Sequence, residues 1–145
     1  MFKRILIPTD GSSASQRAIL AGASLARETG AEIIGLTVTP PFHTLSADPE
    51  VLESTPAQYE QQARQQAERI LADVESAARE AQVPYRIEHA SGDSPYEMII
   101  STARDAGCDL ILMASHGRKG IKGLLLGSET QKVLVHSAIP VLVYR

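Results

Sequence analysis

Residues 3–30, KRILIPTDGSSASQRAILAGASLARETG, contain a complete strand, turn and helix. Residues 5–7 form a short continuous apolar run, which is typical of a strand buried on both faces. The run stops at the turn sequence PTDG, residues 8–11, and either Ser12 or Ser13 can cap the helix that follows. The apolar residues of that helix recur at helical spacing: Ala18, Ile19, Gly22, Leu25 and Ala26. This stretch therefore predicts a buried strand followed by an amphipathic helix.

The same alternation of strand and helix continues along the chain. Further strands are predicted at 33–38, 85–89, 109–114 and 141–144, and further helices over 57–82, from Pro95 to just before Gly107, and over 127–136. Helical crossovers throughout imply a parallel sheet covered by helices on both faces. We therefore predict an α/β fold in one domain over residues 1–145, with a single doubly wound, Rossmann-like five-stranded parallel sheet.

Composition excludes several classes of protein. The chain has 145 residues, 43% hydrophobic and 21% charged, which is typical of one globular domain. Its net charge of −3 and its lack of Trp disfavour a nucleic-acid binder. No run approaches the roughly 20 apolar residues of a membrane span. The lone cysteine, Cys108, allows no intrachain disulfide and is expected to be an inert buried side chain, so we expect a cytoplasmic protein.

The residues best suited to bind a ligand follow two of the predicted strands. In an open parallel sheet, ligands bind beyond the carboxyl ends of the strands, where the strand order reverses. One such end is the PTDG turn, and the other is a glycine-rich loop that leads to Gly127-Ser128 at the start of a helix. The free N–H groups of a helix start favour a phosphate. The loop adds three glycines and three cations: Gly117, Gly120, Gly123, Arg118, Lys119 and Lys122.

Three segments carry a family resemblance: KRILIPTDGS at 3–12, LILMASHGRKG with LLLGS between 110 and 128, and IPVLVYR at 139–145. On these segments the chain resembles the universal stress protein family over essentially its whole length. The nucleotide-binding branch of that family has the pattern G-2x-G-9x-G-[S/T], which falls here on Ala114, Gly117, Gly127 and Ser128 with its spacing intact. Ala114 stands where the pattern has its first glycine, and we expect its methyl group to weaken nucleotide binding at most.

The resemblance implies an adenine nucleotide α-hydrolase-like fold with a site for ATP and Mg²⁺. By this resemblance, Asp10 contacts the ribose or the Mg²⁺ ion, and Val38 offers backbone groups to adenine. Phosphates are surrounded mostly by main-chain amides of the loop and of the helix that follows it. The other cofactor-binding residues expected on this basis are Pro8, Thr9, Met113, Ala114, Gly117, Arg118, Gly127, Ser128, Glu129 and Thr130.

Each of these residues also has an ordinary structural role open to it. Asp10 can cap the helix that follows it, and Val38 can be plain core. Ser128 and Thr130 can be helix-start residues without a ligand. The glycine loop at 117–123 can be a surface turn whose cations are solvated. These alternatives stay open on the sequence.

The resemblance favours a regulatory, stress-survival module over an enzyme. Bound ATP would order the segment 39–56 and the glycine loop for an unknown regulatory protein partner. The apolar last strand, 141–144, is expected at a sheet edge, where it would pair with a second copy to form a homodimer. A slow ATPase is one alternative, and the absence of a GxxxxGK[S/T] loop and of an assigned catalytic residue counts against it. A nucleotide-free dimeric interaction protein is the other.

Overall fold

The computed structural model describes residues 1–42, 55–117 and 126–145. Its elements are β1 (Arg4–Pro8), α1 (Ser13–Thr29), β2 (Glu32–Thr39), α2 (Pro56–Ala81), β3 (Tyr85–Ser91), α3 (Pro95–Asp105), β4 (Leu110–Ala114), α4 (Ser128–His136) and β5 (Val141–Tyr144). All strands of the sheet pair in parallel in the order β3-β2-β1-β4-β5. The predicted doubly wound parallel sheet is confirmed. Its edges are β3 and β5, and the last strand was expected at an edge.

The sheet separates two hydrophobic clusters. Because side chains alternate along a strand, Ile5 and Ile7 point to one cluster while Leu6 points to the other. Buried residues of α1 and α2 complete the first cluster, and residues of α3 and α4 complete the second. The continuous apolar run of β1 is therefore the consequence of a strand that is covered on both sides.

Glycines allow α1 and α2 to approach the sheet closely. A Cβ atom on Gly35 of β2 would lie 2.7 Å from Cγ1 of Val74 on α2, and a Cβ atom on Gly22 of α1 would overlap Cδ1 of Ile7. The buried residues of α2 are Ala67, Leu71, Val74, Ala77 and Ala78. Close packing of α2 is thus centred on Val74, which lies directly over Gly35.

The helices begin and end at residues suited to those positions. Ser12 is the N-cap of α1, and its hydroxyl accepts a hydrogen bond from the Ser15 backbone N–H at 3.2 Å. Of the two serines that could cap α1, Ser12 therefore does so. Gly30 ends the helix with a φ of 72°, a left-handed conformation that favours glycine.

The start of α2 is fastened to the end of β2. The Tyr59 hydroxyl donates a hydrogen bond to the Pro40 carbonyl oxygen at 2.7 Å, and the rings of Tyr59 and Phe42 have centroids 5.5 Å apart. A capping box formed by Thr55 and Gln58 fixes the first turn of the same helix. The chain therefore leaves β2 and enters α2 at neighbouring points.

Charged side chains join the amino ends of the strands, and the predicted site lies at the opposite, carboxyl ends. The Glu32 carboxylate accepts hydrogen bonds from Nε of Arg4 at 2.9 Å and from Nε of Arg86 at 3.0 Å. The Asp109 carboxylate accepts hydrogen bonds from the backbone N–H groups of Lys3 and Arg4. These contacts link β1 to β2 and β3 through Glu32, and to the start of β4 through Asp109.

Candidate functional site

The strand order reverses between β1 and β4, so the ligand crevice of this fold lies beyond the carboxyl ends of those two strands. Both strands continue their pairing for one residue past their last strand position. The Thr9 N–H donates to the Leu36 carbonyl at 2.8 Å, and the Ser115 N–H donates to the Tyr144 carbonyl at 3.0 Å. The predicted site residues after β1 and β4 thus start from well-anchored backbone.

Asp10 lies between the start of α1 and the loop after β4. Its Oδ1 atom accepts hydrogen bonds from the Ser12 N–H at 2.9 Å and from the Ser15 hydroxyl at 2.8 Å. Its Oδ2 atom lies against Gly117, where a Cβ atom would overlap it. One oxygen therefore serves the helix start, as the capping alternative requires, and the other lies against Gly117.

Ser15 was not among the expected site residues, although it helps to hold Asp10. It is buried, with only 4% of its surface exposed, and its hydroxyl contacts Asp10 Oδ1 and the hydroxyl of Ser12. Gly11 makes the turn possible with a φ of 80°. The serine-rich sequence after the turn carried a signal for this network, since each hydroxyl is both donor and acceptor.

The start of α4 packs against the end of β4. The Gly127 N–H donates a hydrogen bond to the Ser115 carbonyl at 2.6 Å, and a Cβ atom on Gly127 would lie 3.2 Å from Cα of His116. Gly127 is the N-cap, and it has no side chain with which to cap the helix. Ser128 is the first helical residue, so it is not the N-cap.

Thr130 and Ala114 connect α4 to the sheet. The Thr130 hydroxyl is buried and donates a hydrogen bond to the Ala114 carbonyl at 3.0 Å. The methyl group of Ala114 belongs to the hydrophobic cluster that α1 and α2 cover. The Thr130 hydroxyl therefore anchors α4 to the end of β4, and the Ala114 methyl is part of the core.

The side chain of Glu129 turns from α4 toward α3. Its Oε2 atom accepts a hydrogen bond from the Tyr96 backbone N–H at 2.9 Å, and its Oε1 atom lies 3.4 Å from Nζ of Lys132. The side chain of Glu129 is thus engaged with Tyr96 and Lys132, and only its main chain belongs to the group of amides at the start of α4. Nothing in the local sequence around either residue indicated this contact, which joins positions 33 residues apart.

The remaining expected residues line the carboxyl edge of the sheet or lie outside the described residues. Pro8 and Thr9 are buried at the end of β1, and Val38 and Met113 pack in the cluster covered by α3 and α4. Arg118 lies outside the described residues. So do Lys119, Gly120, Lys122, Gly123 and positions 43–54 of the segment expected to be ordered by ATP.

Cys108 is buried, and His116 contacts its neighbour Ser115. Burial raises the pKa of the Cys108 thiol to about 11, so the thiolate is scarce at neutral pH. His116 places Nδ1 3.1 Å from the Ser115 hydroxyl. Cys108 is buried, as its sequence position predicted.

The carboxylate of Asp10 fits a metal ion held by a nucleotide better than one held by protein alone. In the part of the chain that the structure describes, no cluster of three or more His, Cys, Asp or Glu residues could hold a metal ion. Mg²⁺ is commonly bound by one or two carboxylates together with the phosphates of a substrate. A single carboxylate beside Gly117 suits the second arrangement.

Comparison with known proteins identifies the family of this chain. The universal stress protein family matches by its sequence model over residues 1–145. The chain belongs to this family. Universal stress protein YxiE of Bacillus subtilis is 30% identical to it over 149 residues, which cover 100% of both chains.

Solved structures of universal stress proteins share the fold. Protein MJ0577 of Methanocaldococcus jannaschii superposes with a TM-score of 0.83 at 27% identity, covering 99% of this chain and 95% of that one. A universal stress protein in complex with cAMP gives a TM-score of 0.73 at 23% identity, covering 99% and 97%. Among the described residues of the present universal stress protein, no helix is both long enough and apolar enough to cross a membrane.

Proposed function

We propose that this universal stress protein binds ATP in the crevice between the ends of β1 and β4. The observation that carries the proposal is the position of Asp10, whose Oδ2 atom lies against Gly117 at the point where the strand order reverses. This places a carboxylate beside a glycine-containing loop at the position where folds of this type bind ligands.

The start of α4 supplies the features that phosphates need. Its N-cap, Gly127, leaves the first-turn N–H groups without a capping side chain, and the helix dipole favours negative charge there. A side chain at Gly117 or Gly127 would occupy space beside Asp10 or His116. In this proposal the main-chain amides of Ser128, Glu129 and Thr130 face the phosphates.

An adenine base is the proposed occupant at the end of β2. Val38 packs its side chain against the cluster under α3 and α4, so its contribution to a ligand would come from the backbone. Adenine is recognised well by backbone donors and acceptors, which are fixed by the strand. The cAMP complex of a protein with this fold supports the choice of an adenine nucleotide.

Asp10 would hold Mg²⁺ together with the nucleotide phosphates, and the ion would neutralise phosphate charge. The Ser12 N–H and the Ser15 hydroxyl fix the carboxylate in one orientation before the ligand arrives. Binding would shift the protein toward one conformation that a regulatory protein partner recognises. We propose this role for a cytoplasmic homodimer that pairs through β5.

Calorimetric titration of the nucleotide-stripped protein with ATP and Mg²⁺ tests the proposal. We expect one site per chain. Gly117→Ala should weaken ATP binding at least tenfold, because the new Cβ atom displaces Asp10 Oδ2, the far end of a flexible side chain that can move without unfolding the protein. Gly30→Ala is the control for a glycine substitution away from the site, because a Cβ atom there meets nothing within 4 Å and lies at the far end of α1. Its φ of 72° strains an alanine, so we expect this variant to lose stability and to keep the wild-type ATP affinity.

Three outcomes separate the candidate functions. Absence of saturable binding to the wild-type protein would contradict the proposal and leave the nucleotide-free interaction dimer. Unchanged affinity in Gly117→Ala would place the nucleotide elsewhere. Phosphate release above background that is abolished by Asp10→Ala would favour the slow ATPase.

A further inference from the structure

The first turn of α3 lacks a cap from its own sequence. Ser94 is the N-cap residue, but its side chain makes no capping hydrogen bond. Pro95 follows at the first helical position and has no N–H group. The first backbone donor of the helix that needs a partner is therefore the N–H of Tyr96.

Glu129 of α4 provides that partner from a different helix. Its Oε2 atom accepts the Tyr96 N–H at 2.9 Å, a charge-assisted hydrogen bond at the positive end of the α3 dipole. Its Oε1 atom lies 3.4 Å from Nζ of Lys132, one turn further along α4. Both carboxylate oxygens are thus engaged by positive partners, so the charge of Glu129 is directed away from the phosphate side of α4.

Tyr96 makes two further contacts with α4. Nζ of Lys132 lies 5.6 Å from the centroid of the Tyr96 ring, and the ring of His136 lies 5.2 Å from it, centroid to centroid. Contacts of this type add modestly to a pair that is already held by a hydrogen bond. The first turn of α3 and one face of α4 are consequently joined along two turns of α4.

The two helices belong to opposite halves of the proposed site. The segment before α3 is tied to the end of β2, because the Gly92 N–H donates to the Thr39 carbonyl at 3.0 Å. The end of β2 is the proposed adenine side, and the first turn of α4 is the proposed phosphate side. The hydrogen bond from Tyr96 to Glu129 is therefore a direct link between the two halves.

We propose that Glu129 is a positioning residue, which sets the distance between the adenine and phosphate halves by capping α3 from α4. The inference rests on the proposed ATP site, but it concerns the side chain of Glu129, whereas the site uses its main chain. The link requires a hydrogen-bond acceptor at the end of a side chain as long as that of glutamate, because the acceptor must reach the Tyr96 N–H on α3. Glutamine keeps that acceptor, and alanine removes it.

Hydrogen exchange combined with ATP titration tests this role. Glu129→Ala should speed exchange of the Tyr96 amide in the nucleotide-free protein by at least about tenfold, and should weaken ATP binding at least about fivefold, the lower range of coupling between sites. Glu129→Gln should restore most of both properties. Glu97→Ala is the matched control, because Glu97 contacts the Tyr96 hydroxyl and not its N–H.

Coupling provides the readout that a purely structural cap would not change. In the wild-type protein, ATP should slow exchange of the Tyr96 amide further, and in Glu129→Ala it should leave that amide unaffected. Wild-type ATP affinity in Glu129→Ala, or equal losses of affinity in Glu129→Ala and Glu129→Gln, would overturn the positioning role alone. Absence of ATP binding by the wild-type protein would overturn the proposed function and this inference together.

Discussion

Ala114 is the residue at which the chain departs from the glycine pattern of its nucleotide-binding relatives. Its side chain is 7% exposed and packs with residues of α1 in the cluster on that face of the sheet. Its carbonyl accepts the Thr130 hydroxyl and so helps to hold α4. Because the Ala114 methyl group packs in the core, we expect it to take no space from the ligand.

We therefore expect Ala114→Gly to affect stability more than binding. Loss of a buried methyl group and the added backbone freedom of glycine should lower the free energy of unfolding by about 1–2 kcal/mol. ATP affinity should stay within about twofold, because the deleted atom faces α1. Urea unfolding and calorimetric titration measure the two effects, with Ala90→Gly on β3 as the control. A tenfold gain in affinity would show instead that the methyl group obstructs the site.

The sequence predicted which single residues stand at the strand ends, but not every contact that they make. Asp10 and Gly117 follow buried runs, so the rules of parallel sheets bring them to one edge. Their direct approach, and the link between Glu129 and Tyr96, depend on how helices are rotated in three dimensions. No local pattern encodes that rotation.

At the scale of the elements, strand and helix order was predictable because each has its own hydrophobic period. Which face of α2 is buried was harder to predict. Helical spacing along this segment predicts a buried stripe of Ala63, Ala67, Ile70, Val74, Ala77 and Ala81. In the structure Ile70 and Ala81 are only half-buried, whereas Leu71 and Ala78 are buried. The two stripes share Ala67, Val74 and Ala77, so a period of 3.6 residues allows either of them.

The strands are also held at their amino ends, where two carboxyl groups have altered acidity. Burial, the largest single effect, acts to raise the pKa of Glu32, but hydrogen bonds and charge from Arg4 and Arg86 together outweigh it and lower the pKa. For Asp109 burial again acts to raise the pKa, and backbone hydrogen bonds from Arg4 and Lys3 outweigh it. Both groups are therefore stronger acids in the folded protein than in the unfolded chain.

Stability should consequently fall in acid. A carboxyl group with a lowered folded-state pKa stabilises the fold above its unfolded pKa, and that contribution is lost as the pH falls through the folded pKa. The loss should begin near the ordinary value of 4.5 for Glu32 and continue below it. Thermal unfolding between pH 7 and pH 3 should show a declining Tm, and Glu32→Gln should lower the Tm at pH 7 and flatten the decline.

The matched control for that experiment is Glu60→Gln, at an exposed position of α2. It should leave both the Tm at pH 7 and the acid decline close to those of the wild-type protein. A decline that is equally steep in Glu32→Gln would contradict a role for the pairs with Arg4 and Arg86.

At the scale of the whole molecule, the two edges of the sheet differ. At one edge, Leu142 and Tyr144 of β5 are 37% and 39% exposed, although both are large and apolar or aromatic. At the other edge, β3 exposes Ile87 to a similar extent, 38%, but the charged residues Arg86 and Glu88 flank it, and charge on an edge strand discourages pairing with another sheet. The proposed dimer therefore uses β5.

Backbone geometry suggests how to test the dimer. Pro140 and Tyr144 turn their carbonyls toward β4, so alternation turns the backbone of Val143 outward. Val143→Pro removes an outward N–H group, which an edge strand tolerates, and should convert a dimer to a monomer in light scattering at micromolar concentration. Ile87→Pro, at an outward position of β3, should leave the dimer intact. A wild-type monomer, or a dimer that survives Val143→Pro, would contradict pairing through β5.

The fastening of α2 to the end of β2 has a consequence for how this chain can diverge or be engineered. Tyr59, near the start of α2, holds both Pro40 and Phe42, which follow the end of β2, so the two ends of the connection between β2 and α2 are fixed close to each other. Doubling the length of a connection whose ends are held costs only about 0.6 kcal/mol. New sequence, even a small folded domain, could therefore be accepted between Phe42 and Thr55 without disturbing the sheet, and it would emerge beside the proposed adenine side of the site.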